Sequence, residues 1–459
     1  MNIIFGTDGW RGKIGDVFTD SNLKIVAQAV CNYLLDKGTQ SNFVVVGFDN
    51  RFRSEDYAQI VAEVFSGNGF DVLLGTKAVS TPVVSFVTNR FKAAIGICIT
   101  ASHNPPYYNG FKIKENFGGS ALTKTIEQIQ PFLYKTEPKV RKGAKITKVD
   151  LTIEYIQNLQ DNFDLTRIAS FFESTPVHLN YMHGSSAGYI GQVFGQQYLP
   201  TLEYNLNRDP LFGGVNPEPI PLNLREFIQG LYSGVGFAFD GDGDRIAAVT
   251  STKQFVSSSQ LMAVLLPHLR RKSKANKAVF TVSCSELPRL VARDLGLDTA
   301  ESKIGFKYIA DMMLEDSNIL IGGEESGGIG FIDYLPERDG IAVCLLTLEA
   351  IATAQTPLEV LLEDLEVEYG PLAQDRLDLQ ISDPGKTAQR IAQVIEDPSR
   401  LVAGVERVST IDGVKLVLAN NSWLMLRQSG TEPVVRIYAE SESPQKTQEL
   451  INKGRSYLE

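Results

Sequence analysis

Apolar residues over the first three quarters of the chain switch between two spacings. At 22–35, 55–66 and 82–88 they recur three and four apart, the spacing that buries one face of a helix. Between these segments lie short apolar runs at 43–47, 72–74 and 93–99, which read as buried strands. The alternation predicts βαβ units and a largely parallel sheet. The basic, Pro- and Gly-containing stretch 137–150 reads as a linker, and the rhythm restarts after it. A helix over 151–163, a strand at 177–181, a helix at 189–198 and strands at 235–239 and 246–249 follow. A third restart predicts helices at 259–270 and 287–295 and strands at 278–282 and 319–322. The end of the chain differs: one helix at 387–395, then three runs at 413–418, 422–426 and 434–439 that suggest a small meander. The expectation is three similar α/β domains with mixed sheets plus a smaller C-terminal α+β domain. Their boundaries fall at 1–147, 148–254, 255–369 and 370–459.

Composition supports this picture. A chain of 459 residues is too long for one ordinary core. Its 43% hydrophobic and 21% charged residues are those of a globular protein. The net charge of −10, with Lys and Arg scattered apart from 139–148, argues against nucleic acid or an anionic membrane as the main partner. A phosphorylated small molecule stays open, because a few local cations suffice for it. Cys31, Cys98, Cys284 and Cys344 show no paired spacing and read as reduced core thiols. No signal-like start and no membrane-length apolar run is evident, so a cytoplasmic location is expected.

Chemistry gathers in loops after predicted strands. The run 93–99 leads into Thr100-Ala101-Ser102-His103-Asn104-Pro105, where the prolines at 105 and 106 stop the strand. A serine there, beside a histidine, suits a nucleophile or a phosphate carrier, with a plain polar turn as the alternative. Asp240-Gly241-Asp242-Gly243-Asp244-Arg245 places three carboxylates at every second position, a crowding that a divalent cation relieves. An EF-hand is excluded, since its sixth position would be Arg245 and its twelfth Ser251. Few hard oxygen ligands suit Mg²⁺. Arg245 could hold a phosphate or fix an aspartate.

Gly322-Gly323-Glu324-Glu325-Ser326-Gly327-Gly328 offers carboxylates and a hydroxyl to sugar hydroxyls, or is simply a turn. Arg427-Gln428-Ser429-Gly430-Thr431-Glu432-Pro433, with Arg436 beyond it, has the makings of an anion nest. Asn109-Gly110-Phe111-Lys112 brings an amine near Ser102. Gly184-Ser185-Ser186-Ala187-Gly188 matches a hydrolase elbow, but the only later histidine is His268, better read as structural. Neither a P-loop nor a strand-linked dinucleotide fingerprint occurs.

Taken together and in order, five segments resemble the α-D-phosphohexomutase family. They are Gly6-Thr7-Asp8-Gly9-Trp10-Arg11-Gly12, the loops at 100–105 and 240–245, Gly323-Glu324-Glu325-Ser326-Gly327, and the loop at 427–433. The resemblance implies four domains around a central cleft. It makes Ser102 a phosphoserine whose phosphate joins Asp240, Asp242 and Asp244 around Mg²⁺. Arg11, Lys112 and His103 match positions around the transferring phosphoryl group, and either Lys112 or His103 would be the general acid or base, with Lys112 favoured by a small margin. Glu324 and Ser326 match the sugar loop, and Ser429, Gly430 and Thr431 the loop for the distal phosphate. Arg245, Lys307, Arg427 and Arg436 complete the expected substrate contacts.

The implied reaction interconverts glucose 1-phosphate and glucose 6-phosphate through glucose 1,6-bisphosphate, which also serves as activator. Gly305-Phe306-Lys307-Tyr308 and Glu337-Arg338-Asp339-Gly340 look like the phosphoglucomutase branch. Phosphomannomutase and phosphoglucosamine mutase are the alternatives, and a non-catalytic phosphosugar-binding protein or a phosphatase are readings of other classes. The segment Asn180-Tyr181-Met182-His183-Gly184 lacks the Asp and Pro usual in the family's second-domain glycine loop.

Overall fold

The computed structural model describes residues 3–6, 8–141, 145–429 and 434–459. The chain forms three α/β units with mixed sheets and a fourth, antiparallel unit, as the sequence predicts. The first sheet has seven strands. Phe43–Phe48, Asp71–Gly75, Ile95–Ile99 and Ile146–Val149 run parallel within it, while Gly9–Lys13 and Tyr108–Lys114 are added antiparallel. Its inner strands are continuous apolar runs because helices cover both faces.

One expectation is corrected here. The stretch read as a linker contains strand Ile146–Val149, which pairs with Asp71–Gly75 and closes one edge of the first sheet. Its half-polar sequence suits an edge strand, and its partner lies too far back in the chain for a local signal.

Helix ends follow local chemistry. Thr19 caps Asp20–Lys37 by accepting from the Asn22 N–H, and Gly38 closes that helix in the left-handed conformation. Ser257 and Gln260 form a capping box at Ser258–Lys272. Helix Gly340–Ala354, capped by Asp339, is buried along nearly its whole length. No single helix among the described residues is long and apolar enough to cross a membrane.

One apolar core runs through three units, from Val83 and Val87 through Tyr155 and Tyr189 to Leu265 and Ile351. The loops at the strand ends of these units are therefore held against one another. In the fourth unit, alternation along Trp423–Gln428 splits the side chains between two faces. Leu424 and Leu426 enter that unit's own core, whereas Trp423 and Met425 pack with Val282 of the third unit.

Candidate active site

Strand Ile95–Ile99 ends at the loop holding Ser102, and strand Val235–Phe239 ends at the loop holding the aspartates. Both loops stand at the C-terminal ends of sheet strands, where backbone groups are freed from the ladder. The Ser102 Oγ donates to Asp240 Oδ2 across 2.8 Å, so the two loops meet. They meet closely: a Cβ on Gly241 would lie 2.6 Å from the Ser102 carbonyl oxygen, so only glycine fits there. Ser102 itself has φ 54°, the left-handed region that a residue with a side chain enters at a cost of roughly 1–2 kcal/mol.

Asp240, Asp242 and Asp244 are fully buried, and one carboxylate oxygen from each lies within 4.8 Å of the others. The Asp240 Oδ1 accepts from the backbone N–H groups of Asp244 and Arg245, which folds the loop around it. Thr81 donates to Asp242 from the first unit. Asp242 Oδ1 and Asp244 Oδ1 are buried and accept no hydrogen bond among the described residues. Desolvated carboxylate oxygens left without a donor fit a hard cation such as Mg²⁺.

Lys112, with no exposure, reaches Asp242 and Asp244 at 2.8 Å and Asp8 at 2.9 Å. Arg338 reaches Asp244 at 2.8 Å, Asp8 at 2.9 Å and Glu324 at 3.4 Å. This arginine thereby joins residues of all three α/β units. Beside it, Lys114 pairs with Glu337 at 2.5 Å.

These charges set one another. Burial opposes ionisation of Asp8, yet Lys112, Lys114 and Arg338 outweigh it and hold its carboxyl well below the usual range. Burial also opposes the Lys112 ammonium, but Asp242, Asp244 and Asp8 outweigh it and push its pKa well up. Asp240 goes the other way, raised by burial and by the neighbouring Asp244 and Asp242. Burial, together with Arg245 and Arg11, keeps the half-buried His103 imidazole neutral well below its usual pKa. Its Nδ1 stands 3.4 Å from the Ser102 Oγ.

Around this centre the structure gathers Arg11, which donates to Asn104 at 2.7 Å, and Arg245, set between Asp244 at 3.9 Å and Glu218 at 3.8 Å. Glu324 is buried and tied in through Arg338, with its carboxyl raised by burial. Ser326, half-buried, precedes Gly327, whose carbonyl accepts from the Ile246 N–H and so seats the sugar loop on the aspartate loop. The other candidates keep company within their own units. Lys307 lies over the Tyr308 ring, Arg427 pairs with Asp412 at 2.9 Å, and Arg436 pairs with Asp378 at 3.5 Å. The Ser429 N–H bonds the Val434 carbonyl. Gly430 and Thr431 lie outside the described residues.

Sequence reasoning overlooked Asp8, Arg51, Lys114, Glu337 and Arg338 as site groups. A weak signal existed for some of them. Asp8 sits in a glycine-rich loop, and Arg51 follows a parallel strand by three residues, beside the end of the sheet where the site lies. The hydrolase elbow is not formed. Its central serine, Ser186, is fully buried against Gly243, and His268 is a buried partner of Glu349 at 2.9 Å. All four cysteines are buried and unbridged.

Comparison with known proteins adds four matches along the chain. Residues 2–139, 153–253 and 257–369 match phosphoglucomutase/phosphomannomutase alpha/beta/alpha domains I, II and III, and residues 379–453 match the C-terminal domain. A phosphoglucomutase/phosphomannomutase of Thermococcus kodakarensis is 28% identical over 466 residues, covering 100% of this chain and 99% of the other. The phosphoglucosamine mutase of Bacillus subtilis is 27% identical, covering 99% and 97%. A crystal structure from Thermus thermophilus, of a protein provisionally named a phosphomannomutase, superposes with a TM-score of 0.87. It is 32% identical and covers 99% of this chain and 98% of that one.

Proposed function

The chain belongs to the phosphoglucomutase/phosphomannomutase family, and from that premise we propose that it moves a phosphoryl group between the 1- and 6-hydroxyls of glucose phosphate by way of Ser102. The observation that carries the reading is the Ser102 hydroxyl 2.8 Å from Asp240 within the buried triad.

In the forward step the sugar's 6-hydroxyl attacks the phosphoserine phosphorus. The Ser102 Oγ–P bond breaks, the sugar O6–P bond forms, and the hydroxyl proton leaves. His103, whose ring nitrogen stands 3.4 Å from the Ser102 Oγ, and Lys112 are the two groups suited to accept that proton. Lys112, ion-paired with Asp8, Asp242 and Asp244, also brings positive charge to the site. The bisphosphate then turns end for end. The Ser102 Oγ attacks the phosphorus on O1: the Oγ–P bond forms again, the O1–P bond breaks, and O1 takes up the proton released in the first step, leaving glucose 6-phosphate. Asp240, Asp242, Asp244 and the Ser102 phosphate would hold Mg²⁺, which supplies charge neutralisation to the phosphoryl oxygens.

Positioning and electrostatics supply most of the rate in such transfers. In this reading Arg11 contacts the travelling group, Glu324 and Ser326 the sugar, and Arg427, Ser429 and Arg436 the distal phosphate. Glucose is favoured by Glu324-Glu325-Ser326-Gly327 and by the segments at 305–308 and 337–340. Relatives named phosphoglucosamine mutase support glucosamine 1-phosphate as the second reading. Comparing kcat/KM for glucose, mannose and glucosamine 1-phosphates, with Mg²⁺ and the matching bisphosphate, decides between them. Release of inorganic phosphate without isomerised sugar would overturn the mutase reading.

A further inference from the structure

Arg51 has no exposure, and its guanidinium is spent on one loop. Its Nη2 donates to the carbonyls of Ser102 and Asn104, both at 2.6 Å. Its Nη1 donates to the carbonyls of Pro105 at 2.8 Å and Tyr108 at 3.1 Å. Asp49 stands 3.2 Å from its Nε and accepts from its backbone N–H and from Ser54. A planar fork of five donors can satisfy several carbonyls at once, which a lysine ammonium cannot do in the same plane.

The contacted loop is the one in which Ser102 takes its left-handed conformation. Thr100 Oγ1 accepts the Ser102 N–H at 2.9 Å, so the peptide groups on both sides of Ser102 are pinned. The same segment also grips the second unit. The Asn50 side chain donates to the carbonyls of His183 at 2.9 Å and Gly184 at 3.0 Å. The Arg51 guanidinium lies over the Phe212 ring at 4.9 Å. Gly184 in turn abuts the Asp240 backbone, so the brace reaches the aspartate loop from behind.

We infer that Arg51 is a positioning residue for phosphoryl transfer, holding the strained Ser102 peptide so that its Oγ stays in line with the aspartate loop. The inference rests on Ser102 being the phosphoryl carrier. Near-attack geometry is steep: a displacement of about 1 Å costs about 100-fold in rate.

The test is Arg51→Lys, with kcat expressed per mole of phosphoserine counted by intact mass. We expect kcat per phosphoserine to fall about 100-fold while the KM for glucose 1-phosphate and the Mg²⁺ midpoint stay within about threefold. A merely structural arginine would lower the folded or phosphorylated fraction and leave kcat per phosphoserine unchanged, and that result overturns the inference. Loss confined to KM overturns it too. Should Arg51→Lys fail to fold, Asp49→Asn keeps the arginine but loosens its aim. It is expected to lower kcat about 10-fold in the same KM-independent way, and an unchanged kcat would again overturn the inference. Wild-type turnover and an inactive Ser102→Ala serve as controls. If these fail, it is the mutase reading that falls, not the brace alone.

Discussion

The Ser102 hydroxyl and the Asp240 carboxylate lie 2.8 Å apart although 138 residues separate them in sequence. The contact exists because two sheet strands, in different units, end at the same seam. Everything proposed for the site depends on that seam staying closed, and the continuous core beneath it is what keeps it so.

Ser102→Ala removes the only atom proposed to carry the phosphoryl group. Turnover is expected to fall at least ~1,000-fold, as for the loss of other covalent carriers. Circular dichroism and the melting temperature should stay close to wild type, since the alanine loses only the Oγ contacts with Asp240 and His103. A coupled assay for glucose 6-phosphate reads the outcome, and near-normal activity would sink the carrier role.

Lys112→Met leaves Asp8, Asp242 and Asp244 buried without their shared cation. Breaking a buried ion pair from one side costs about 3–5 kcal/mol. Urea denaturation in chelator should register that loss. Mg²⁺ at millimolar concentration should restore more stability to the variant than to wild type, because a bound cation replaces the missing charge. Equal Mg²⁺ stabilisation of the two proteins would refute this.

Asp339 caps helix Gly340–Ala354 and accepts hydrogen bonds from Tyr155 and Tyr334. Burial raises its carboxyl to about 6, with the hydrogen bonds offsetting part of the rise. Between pH of about 4 and 6 the folded protein binds more protons here than the unfolded chain does. The stability Asp339 contributes is therefore complete below pH of about 4 and is lost as pH rises through about 6. Asp339→Asn does not titrate. Its stability relative to wild type should rise across that window, by at most about 3 kcal/mol. Parallel pH dependence in both proteins would show that Asp339 does not titrate in this range.

Gly327 seats the sugar loop on the aspartate loop with φ 101° and with space for no side chain. A Cβ there would meet the Ile246 carbonyl oxygen at 2.9 Å. Gly327→Ala combines strain with that clash and should cost about 1–3 kcal/mol. The expected kinetic signature is a KM for hexose phosphate raised several-fold, with phosphoserine content unaltered. A silent substitution would mean that the two loops are not coupled.

Much of this molecule was legible in its residues. Apolar spacing located the inner strands and amphipathic helices, because burial on one face leaves a period. The aspartate triad and the serine loop announced themselves, because their crowding and their break after a strand are local properties. Helix Gly340–Ala354 escaped notice for the converse reason: buried on all sides, it has no polar face and hence no period. Strand Ala373–Gln380 is largely polar and takes its place by pairing with Val434–Ser441.

The residues alone determined which groups are available, namely three aspartates, a serine, a histidine and a set of cations. Tertiary structure decided which charge faces which. Arg338 meets Asp8 across 330 residues, Lys112 meets Asp244 across 132, and Arg51 turns its whole fork onto the serine loop. Coulomb and hydrogen-bond energies depend on ångström separations in a dry interior, and those separations follow from sheet register and domain packing rather than from neighbours in sequence.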